Sequence, residues 1–267
     1  MTAFNIKGAS RRAALIGLIL SGALSGCATG SVAELPRARL EKARSIFAER
    51  CKHAGAKINR TVVDVDGFVL LKLRPKPIDF DSQFVWDDPY GNDLYGDGYI
   101  ESFIRGSFQT NHQGMQQGGP ARVGYQFVDV IDPNGTVRFR YTGHAEEPWL
   151  TDKSYLKGYL KFVLKRAVTS SPMPRYGLTY DDISTQEDRK YWIAGSSLRV
   201  VDLVTGDVLG ERVGYMMDPL QGNRVGGRSP WLLAADTACP QFPKYGGTAL
   251  QARQAQDFVE TVLFPKQ

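Results

Sequence analysis

The sequence has little cysteine and histidine, and most of its basic excess lies in one short segment. Only three cysteines and three histidines occur in 267 residues, which excludes a disulfide-dense scaffold. The net charge is +5. Residues 1–26 hold three basic and no acidic side chains, so the other 241 residues have 30 basic against 28 acidic side chains, a net +2. Overall charge therefore does not support nucleic-acid binding.

Motifs for catalysis and cofactor binding are also missing. The sequence contains no GxSxG, no Walker loop, no GxGxxG after a strand, no HExxH and no CxxC. Ser154 and Lys157 match SxxK, but no KTG follows and the segment is predicted to form a strand, so we reject this match. No histidine or cysteine pair has the spacing of a metal site. We expect a non-enzymatic protein without a cofactor or a structural metal.

The first residues have the pattern of a secretory signal. Residues 1–12 carry Lys7, Arg11 and Arg12, and residues 13–23 form a short apolar stretch. Eleven such residues are too few for a permanent transmembrane helix, which needs about 20. Their length and basic flank are typical of a signal peptide.

The next four residues, Leu24-Ser25-Gly26-Cys27, resemble the lipobox of bacterial lipoproteins. The resemblance implies that Cys27 receives a thioether-linked diacylglycerol, that residues 1–26 are removed, and that the new amino terminus is acylated, commonly with palmitate. Ala28 stands where inner-membrane lipoproteins typically have aspartate, which implies the outer membrane, facing the periplasm. Residues 27–35 then form a lipidated tether. The alternative is an ordinary signal peptide followed by a chance cysteine.

Cys51 and Cys239 are a candidate disulfide, because the periplasm is oxidising. The bridge would join the beginning of the mature chain to its end. The alternative is two buried, inert thiols.

Periodicity predicts a mainly antiparallel α+β domain over residues 36–267, with a helix packed at each end. The first helix covers 36–54, and Thr248 and Gln251 have capping-box spacing for the last. Two hairpins are predicted, with turns at 132–135 and 205–206. The patterns also predict a tight turn at Asp66-Gly67, a strand over 155–168 and a short capped helix over 184–192.

The most unusual segment is 78–103, which has seven acidic and seven aromatic residues and no lysine or arginine. It could bind calcium, although the EF-hand spacing fails. It could hold a carboxylate pair for glycan hydrolysis. It could also be an acidic, aromatic surface for a basic protein partner; otherwise it is a solvated loop with aromatics in the core. The candidate partner-binding residues are Trp86, Asp87, Asp88, Asp93, Asp97 and Glu101.

A second candidate surface lies within residues 218–231. Arg228 and Trp231 belong to the residue types that are favoured as interface anchors, although a run with two glycines is as often a plain turn.

Residues 176–179 (YGLT) and 191–195 (YWIAG) resemble uncharacterised proteobacterial lipoproteins. That resemblance implies no catalytic residue. Taken together, the patterns predict a lipid-anchored periplasmic binding protein, either an immunity protein against a periplasm-directed toxin or a subunit of an envelope assembly. The alternative is an envelope hydrolase or glycan-binding protein that uses loop 78–103.

Overall fold

A computed structural model describes residues 36–74, 83–84, 88–90, 94–106, 124–245, 248–249 and 251–266. Residues 35–267 cluster into one compact unit. The four α-helices of its described part are α1 (Pro36–Cys51), α2 (Gly96–Arg105), α3 (Gln186–Lys190) and α4 (Gln254–Val262). The strands are β1 (Gly55–Ile58), β2 (Val62–Val65), β3 (Gly67–Leu70), β4 (Phe127–Ile131), β5 (Arg138–Glu146), β6 (Lys161–Val168), β7 (Tyr176–Asp182), β8 (Ile193–Asp202), β9 (Val208–Met217), β10 (Ala238–Cys239), β11 (Lys244–Tyr245), β12 (Thr248–Ala249) and β13 (Leu263–Pro265).

A nine-stranded mixed sheet organises the domain. Its strand order is β1-β9-β8-β7-β3-β4-β5-β6, and β10 pairs with β9 beyond the end of β1. Strand β3 runs parallel to β4 and to β7, whereas the other pairings in this sheet are antiparallel. The prediction of a mainly antiparallel α+β fold with terminal helices on the sheet is confirmed.

Helices α1 and α4 pack on opposite faces of this sheet. Successive side chains of a strand point to opposite faces. Ile193 of β8 packs with Ala43 of α1, whereas Leu198 and Val200 pack with Val262 of α4. Helix α2 joins the α4 side through an apolar face that includes Tyr99, Ile100 and Phe103. The larger core therefore lies between the sheet and α2 and α4.

The predicted disulfide is present. Cys51 ends α1 and Cys239 lies in β10, with their Cα atoms 5.6 Å apart and 188 positions between them in sequence. Because β10 pairs with β9, the bridge joins the end of α1 to an edge of the main sheet.

The two hairpins are confirmed. Their turns are stabilised by hydrogen bonds to a side chain of the turn or by a glycine with a positive φ angle. Asp132 Oδ1 accepts hydrogen bonds from the backbone N–H groups of Thr136 at 2.6 Å and Val137 at 2.7 Å. Gly135 and Gly206 have φ angles of +72° and +78°, a region that glycine enters without a Cβ clash. Short-range signals of this kind are readable from sequence because turn and strands are contiguous.

The tight turn predicted at Asp66-Gly67 does not make a hairpin. Strands β2 and β3 belong to different sheets, since β2 pairs with β13 and β3 pairs with β4 and β7. A Cβ at Gly67 would stand 2.3 Å from the carbonyl oxygen of Phe127. Gly67 therefore allows β3 to approach β4 closely, a purpose that local sequence does not show.

The capping box predicted for the last helix is wrong. Helix α4 begins at Gln254, and its N-cap Arg253 has a φ of +76° without a side-chain capping hydrogen bond. Thr248 lies in β12 instead. Gln251 Nε2 donates to the carbonyl oxygens of Pro89 at 3.1 Å and Tyr90 at 2.5 Å. Gln251 thus ties the start of α4 to a distant segment.

Two further boundaries differ from the predictions. Residues 155–160 form an irregular connection with a turn at 157–158, and the strand extends only over Lys161–Val168. The short helix α3 covers Gln186–Lys190 rather than 184–192, and Thr185 and Asp188 form its capping box. Both differences arise at element ends, where local patterns are least decisive.

Candidate functional site

The acidic segment divides between residues that the structure describes and residues outside that part. Trp86, Asp87 and Asp93 lie outside the described residues. Asp88 is fully buried, and Arg74 Nη1 donates to its Oδ2 at 2.5 Å. Arg74 is itself 2% exposed, and its guanidinium carbon lies 4.1 Å from the ring centroid of Tyr180. Asp88 is therefore placed inside the fold, and substituting it tests folding before it tests partner capture.

The other two acidic candidates lie on α2. Asp97 is exposed in the first turn of the helix. Glu101 is partly exposed, and its Oε1 lies 3.5 Å from Arg105 Nη1. The aromatic residues between and beside them, Tyr99 and Phe103, are in the core. Among the described candidates of this segment, Asp97 is thus the most accessible carboxylate.

Fully buried aspartates held by arginines recur through the domain. Among the described residues, five aspartates have no exposed surface, and each lies within hydrogen-bond distance of an arginine. The pairs are Arg74–Asp88, Arg140–Asp129, Arg50–Asp188, Arg175–Asp202 with Arg60–Asp202, and Arg228–Asp218. Buried carboxylates are stabilised only when they are paired and hydrogen-bonded. For Asp88, this excludes the reading of segment 78–103 as a loop whose acidic residues all face water.

The Asp202 pair makes a testable contribution to pH dependence. The hydrogen bond from Arg175, at 2.9 Å between Nη2 and Oδ2, lowers the pKa of Asp202 to about 2, although burial opposes the shift. An aspartate in an unfolded chain has a pKa of about 3.9. The stabilisation that ionised Asp202 gives to the folded protein is therefore complete above about pH 4 and is lost as the pH falls through about 2.

We expect the free energy of unfolding to fall more steeply between pH 4 and pH 2 in the wild-type protein than in the Asp202→Asn variant. Asparagine keeps the shape of the side chain but does not titrate. Urea unfolding at a series of pH values measures both slopes. Equal slopes would contradict a role for Asp202 in acid sensitivity.

Residues 218–233, which we call the Asp218 loop, are organised by one carboxylate. Asp218 accepts hydrogen bonds from the backbone N–H groups of Leu220 at 3.1 Å and Gly222 at 3.0 Å. Asp218 Oδ2 also accepts a hydrogen bond from Arg228 Nη2 at 3.0 Å. Arg228 Nε donates to the carbonyl oxygen of Asn223 at 3.0 Å. The loop is thus built on internal hydrogen bonds.

A tryptophan of this loop, Trp231, contacts a tryptophan outside it, Trp192. Trp231 is buried, and its ring centroid lies 5.3 Å from that of the partly buried Trp192. Both residues have positive φ angles, +68° and +53°, as does Gln221 at +49°. A non-glycine residue in this region costs on the order of 1–3 kcal/mol and persists only when its surroundings over-determine it. Such strain is concentrated at functional sites, which draws attention to the Asp218 loop.

The outer side of the Asp218 loop presents apolar side chains to solvent. Val225 is 83% and Leu232 66% exposed, and Leu220 and Leu233 are also exposed. The predicted anchors Arg228 and Trp231 are not part of this exposed set, because Arg228 is bound to Asp218 and Trp231 is in the core. These four exposed apolar residues were not among the candidate residues predicted from the sequence.

The described residues contain no group of three histidine, cysteine, aspartate or glutamate side chains placed to hold a metal ion. A shallow depression of about 370 Å³ is lined by Asn59, Arg60 and residues 207–209. It contains none of the predicted site residues.

Cys27 lies outside the described residues, so the lipobox stays a prediction. Across the part of the chain that is described, no helix is both long and apolar enough to cross a membrane. Comparisons of the chain with protein-family models, with curated proteins and with solved structures give no match.

Proposed function

We propose that this chain is a lipoprotein of the outer membrane, anchored through Cys27, that binds a protein partner in the periplasm with its Asp218 loop. The lipobox supports the location. The disulfide between Cys51 and Cys239 is consistent with it, because such bonds persist in oxidising compartments.

The observation that carries the binding proposal is the combination of exposed apolar side chains with a fixed backbone. Val225 and Leu232 are among the exposed residues of the loop. The loop backbone is fixed by hydrogen bonds that Asp218 accepts from Gly222 N–H and from Arg228. A binding surface that is already ordered loses less conformational entropy on association. Apolar residues clustered on a rigid frame are typical of the centre of a protein interface.

The charge of the loop indicates what the partner's rim carries. Residues 218–233 include two basic residues, Arg224 and Arg228, and one acidic residue, Asp218, which is buried and paired with Arg228, and Arg224 is exposed. The partner surface that complements it has an apolar centre with carboxylates at its edge.

The test is affinity capture of the full chain from native envelopes after mild crosslinking, followed by mass spectrometry. We expect one stoichiometric protein partner, and at least a tenfold loss of that partner in the Val225→Asp/Leu232→Asp variant. The reason is that two buried apolar contacts would be replaced by carboxylates facing a carboxylate rim.

Val204→Asp is the matched control, since Val204 is 76% exposed in the turn between β8 and β9. It should leave capture unchanged. Capture that survives Val225→Asp/Leu232→Asp, or the absence of any partner, would overturn the proposal. A secreted toxin as the partner assigns an immunity role, and a component of an envelope machine assigns an assembly role.

The same cells test the anchor. Labelled palmitate should be incorporated into the wild-type chain and not into the Cys27→Ser variant, and the mature amino terminus should be Cys27. Equal labelling of both would contradict lipidation at this residue.

A further inference from the structure

The connection between β5 and β6 forms an exposed, apolar projection, which we call the hairpin tip (residues 147–160). Every residue from 150 to 158 is exposed. These include Leu156, which is 78% exposed, as well as Leu150 and Tyr155. Exposed leucines and aromatics at the end of a hairpin are not explained by packing within the domain.

Lysines and aromatic rings of the tip are interleaved. The Nζ of Lys153 lies 3.5 Å from the ring centroid of Trp149, and that of Lys157 lies 5.3 Å from it. The rings of Tyr155 and Tyr159 are stacked, with centroids 5.9 Å apart. Tryptophan and tyrosine suit the boundary between hydrocarbon and water, and lysine can bury its methylenes there while its ammonium stays wet.

Both acidic residues of the hairpin tip accept hydrogen bonds from backbone N–H groups within the tip. Glu147 Oε1 accepts from the backbone N–H of Gly158 at 2.7 Å, and Asp152 Oδ1 accepts from that of Ser154 at 2.9 Å. These hydrogen bonds favour the projecting conformation.

The tip continues into a basic edge strand. Strand β6 is the end strand of the main sheet and carries Lys161, Lys165 and Arg166, all exposed. The tip and β6 together, residues 147–168, contain five basic side chains and two acidic ones, Glu147 and Asp152, a net +3. This exceeds the net +2 of the entire chain after residue 26. Positive charge beside exposed apolar side chains complements an anionic lipid surface.

We propose that the hairpin tip is a membrane-contact site, in which Leu150, Tyr155 and Leu156 enter the interface of a bilayer containing anionic lipid. Lys153 and Lys157 meet the lipid phosphates. This contact is separate from the Cys27 anchor and from the Asp218 loop, and it holds the domain against the bilayer in one orientation.

The test uses the full chain with Cys27→Ser, so that no acyl chain is attached. Because Cys51 and Cys239 are in the disulfide, a cysteine introduced by Leu156→Cys is the single free thiol and can carry an environment-sensitive fluorophore. The probes are vesicles of phosphatidylcholine with phosphatidylglycerol at three to one, and vesicles of phosphatidylcholine alone. We expect a blue shift, and quenching by lipids with a spin label in the acyl chain, in the anionic vesicles.

Two controls locate the effect. A label at Val204→Cys, an exposed position outside the tip, should show no shift even though residues 1–26 are present in both chains. Lys153→Glu/Lys157→Glu should reduce the vesicle-induced fluorescence change of the label at position 156 at least tenfold. Lys57→Glu/Lys244→Glu should leave that change unaltered.

The proposal is overturned if the fluorescence of the label at position 156 does not change with anionic vesicles, or if the labels at 156 and 204 change equally. It is also overturned if Lys153→Glu/Lys157→Glu has no effect on the label at 156. Leu156, Val204 and the four substituted lysines are exposed, and thermal unfolding of each variant checks that it is folded. Since the vesicles contain no protein, the outcome is separate from that of the partner capture.

Discussion

Replacing Asp88 with alanine should lower the free energy of unfolding by about 3–5 kcal/mol. Arg74 would remain 2% exposed among aromatic rings, while the carboxylate that its Nη1 contacts at 2.5 Å would be lost. Removing one member of a buried pair costs far more than the pair contributes, because the remaining charge keeps its desolvation penalty. Urea unfolding measures the change.

Asp97→Ala is the matched control from the same acidic segment. Asp97 is exposed, so its substitution should change the free energy of unfolding by no more than about 0.5 kcal/mol. A double variant, Arg74→Met/Asp88→Leu, should recover most of the loss, because it removes both charges together. Equal stability of the Asp88→Ala and Asp97→Ala variants would refute the energetic role of the buried pair.

Loss of the disulfide is the second large effect. The Cys51→Ser/Cys239→Ser variant should lose about 2–5 kcal/mol of unfolding free energy. The bridge spans 188 positions, and a cross-link over a long loop restricts the unfolded chain strongly in the chain-entropy model. The comparison is made by denaturant unfolding of the two proteins under oxidising conditions.

A reducing agent provides an internal control. It should destabilise the wild-type protein and the Cys27→Ser variant alike, and it should not affect the Cys51→Ser/Cys239→Ser variant. If reduction leaves the wild-type protein unchanged, the bridge does not contribute to stability.

Local patterns predicted much of the fold, and the reason is that they involve contiguous residues. The hairpin between β4 and β5 depends on Asp132 and Gly135 within one turn. By contrast, the separation of β2 from β3 depends on pairing with β13 and β4. Gly67 accommodates a carbonyl oxygen from Phe127, 60 residues away in sequence, and nothing beside Gly67 indicates it.

The exposed surface of the Asp218 loop could not be predicted from residue type. Residue type singled out Arg228 and Trp231, but Arg228 is paired with the buried Asp218 and Trp231 is in the core. Exposure of Val225 and Leu232 was not predictable, because an apolar residue in a loop is as compatible with the core as with solvent.

By itself the sequence determined the signal and lipobox pattern of the first 27 residues, the hairpin turns and the two cysteines available for a bridge. Only the tertiary structure decided which charges are buried. Arg50 meets Asp188 across 138 positions and Arg60 meets Asp202 across 142. Whether an aspartate faces water or an arginine is set by what the fold brings beside it, and for Asp188 and for the Arg60 contact of Asp202 that neighbour is distant in the chain.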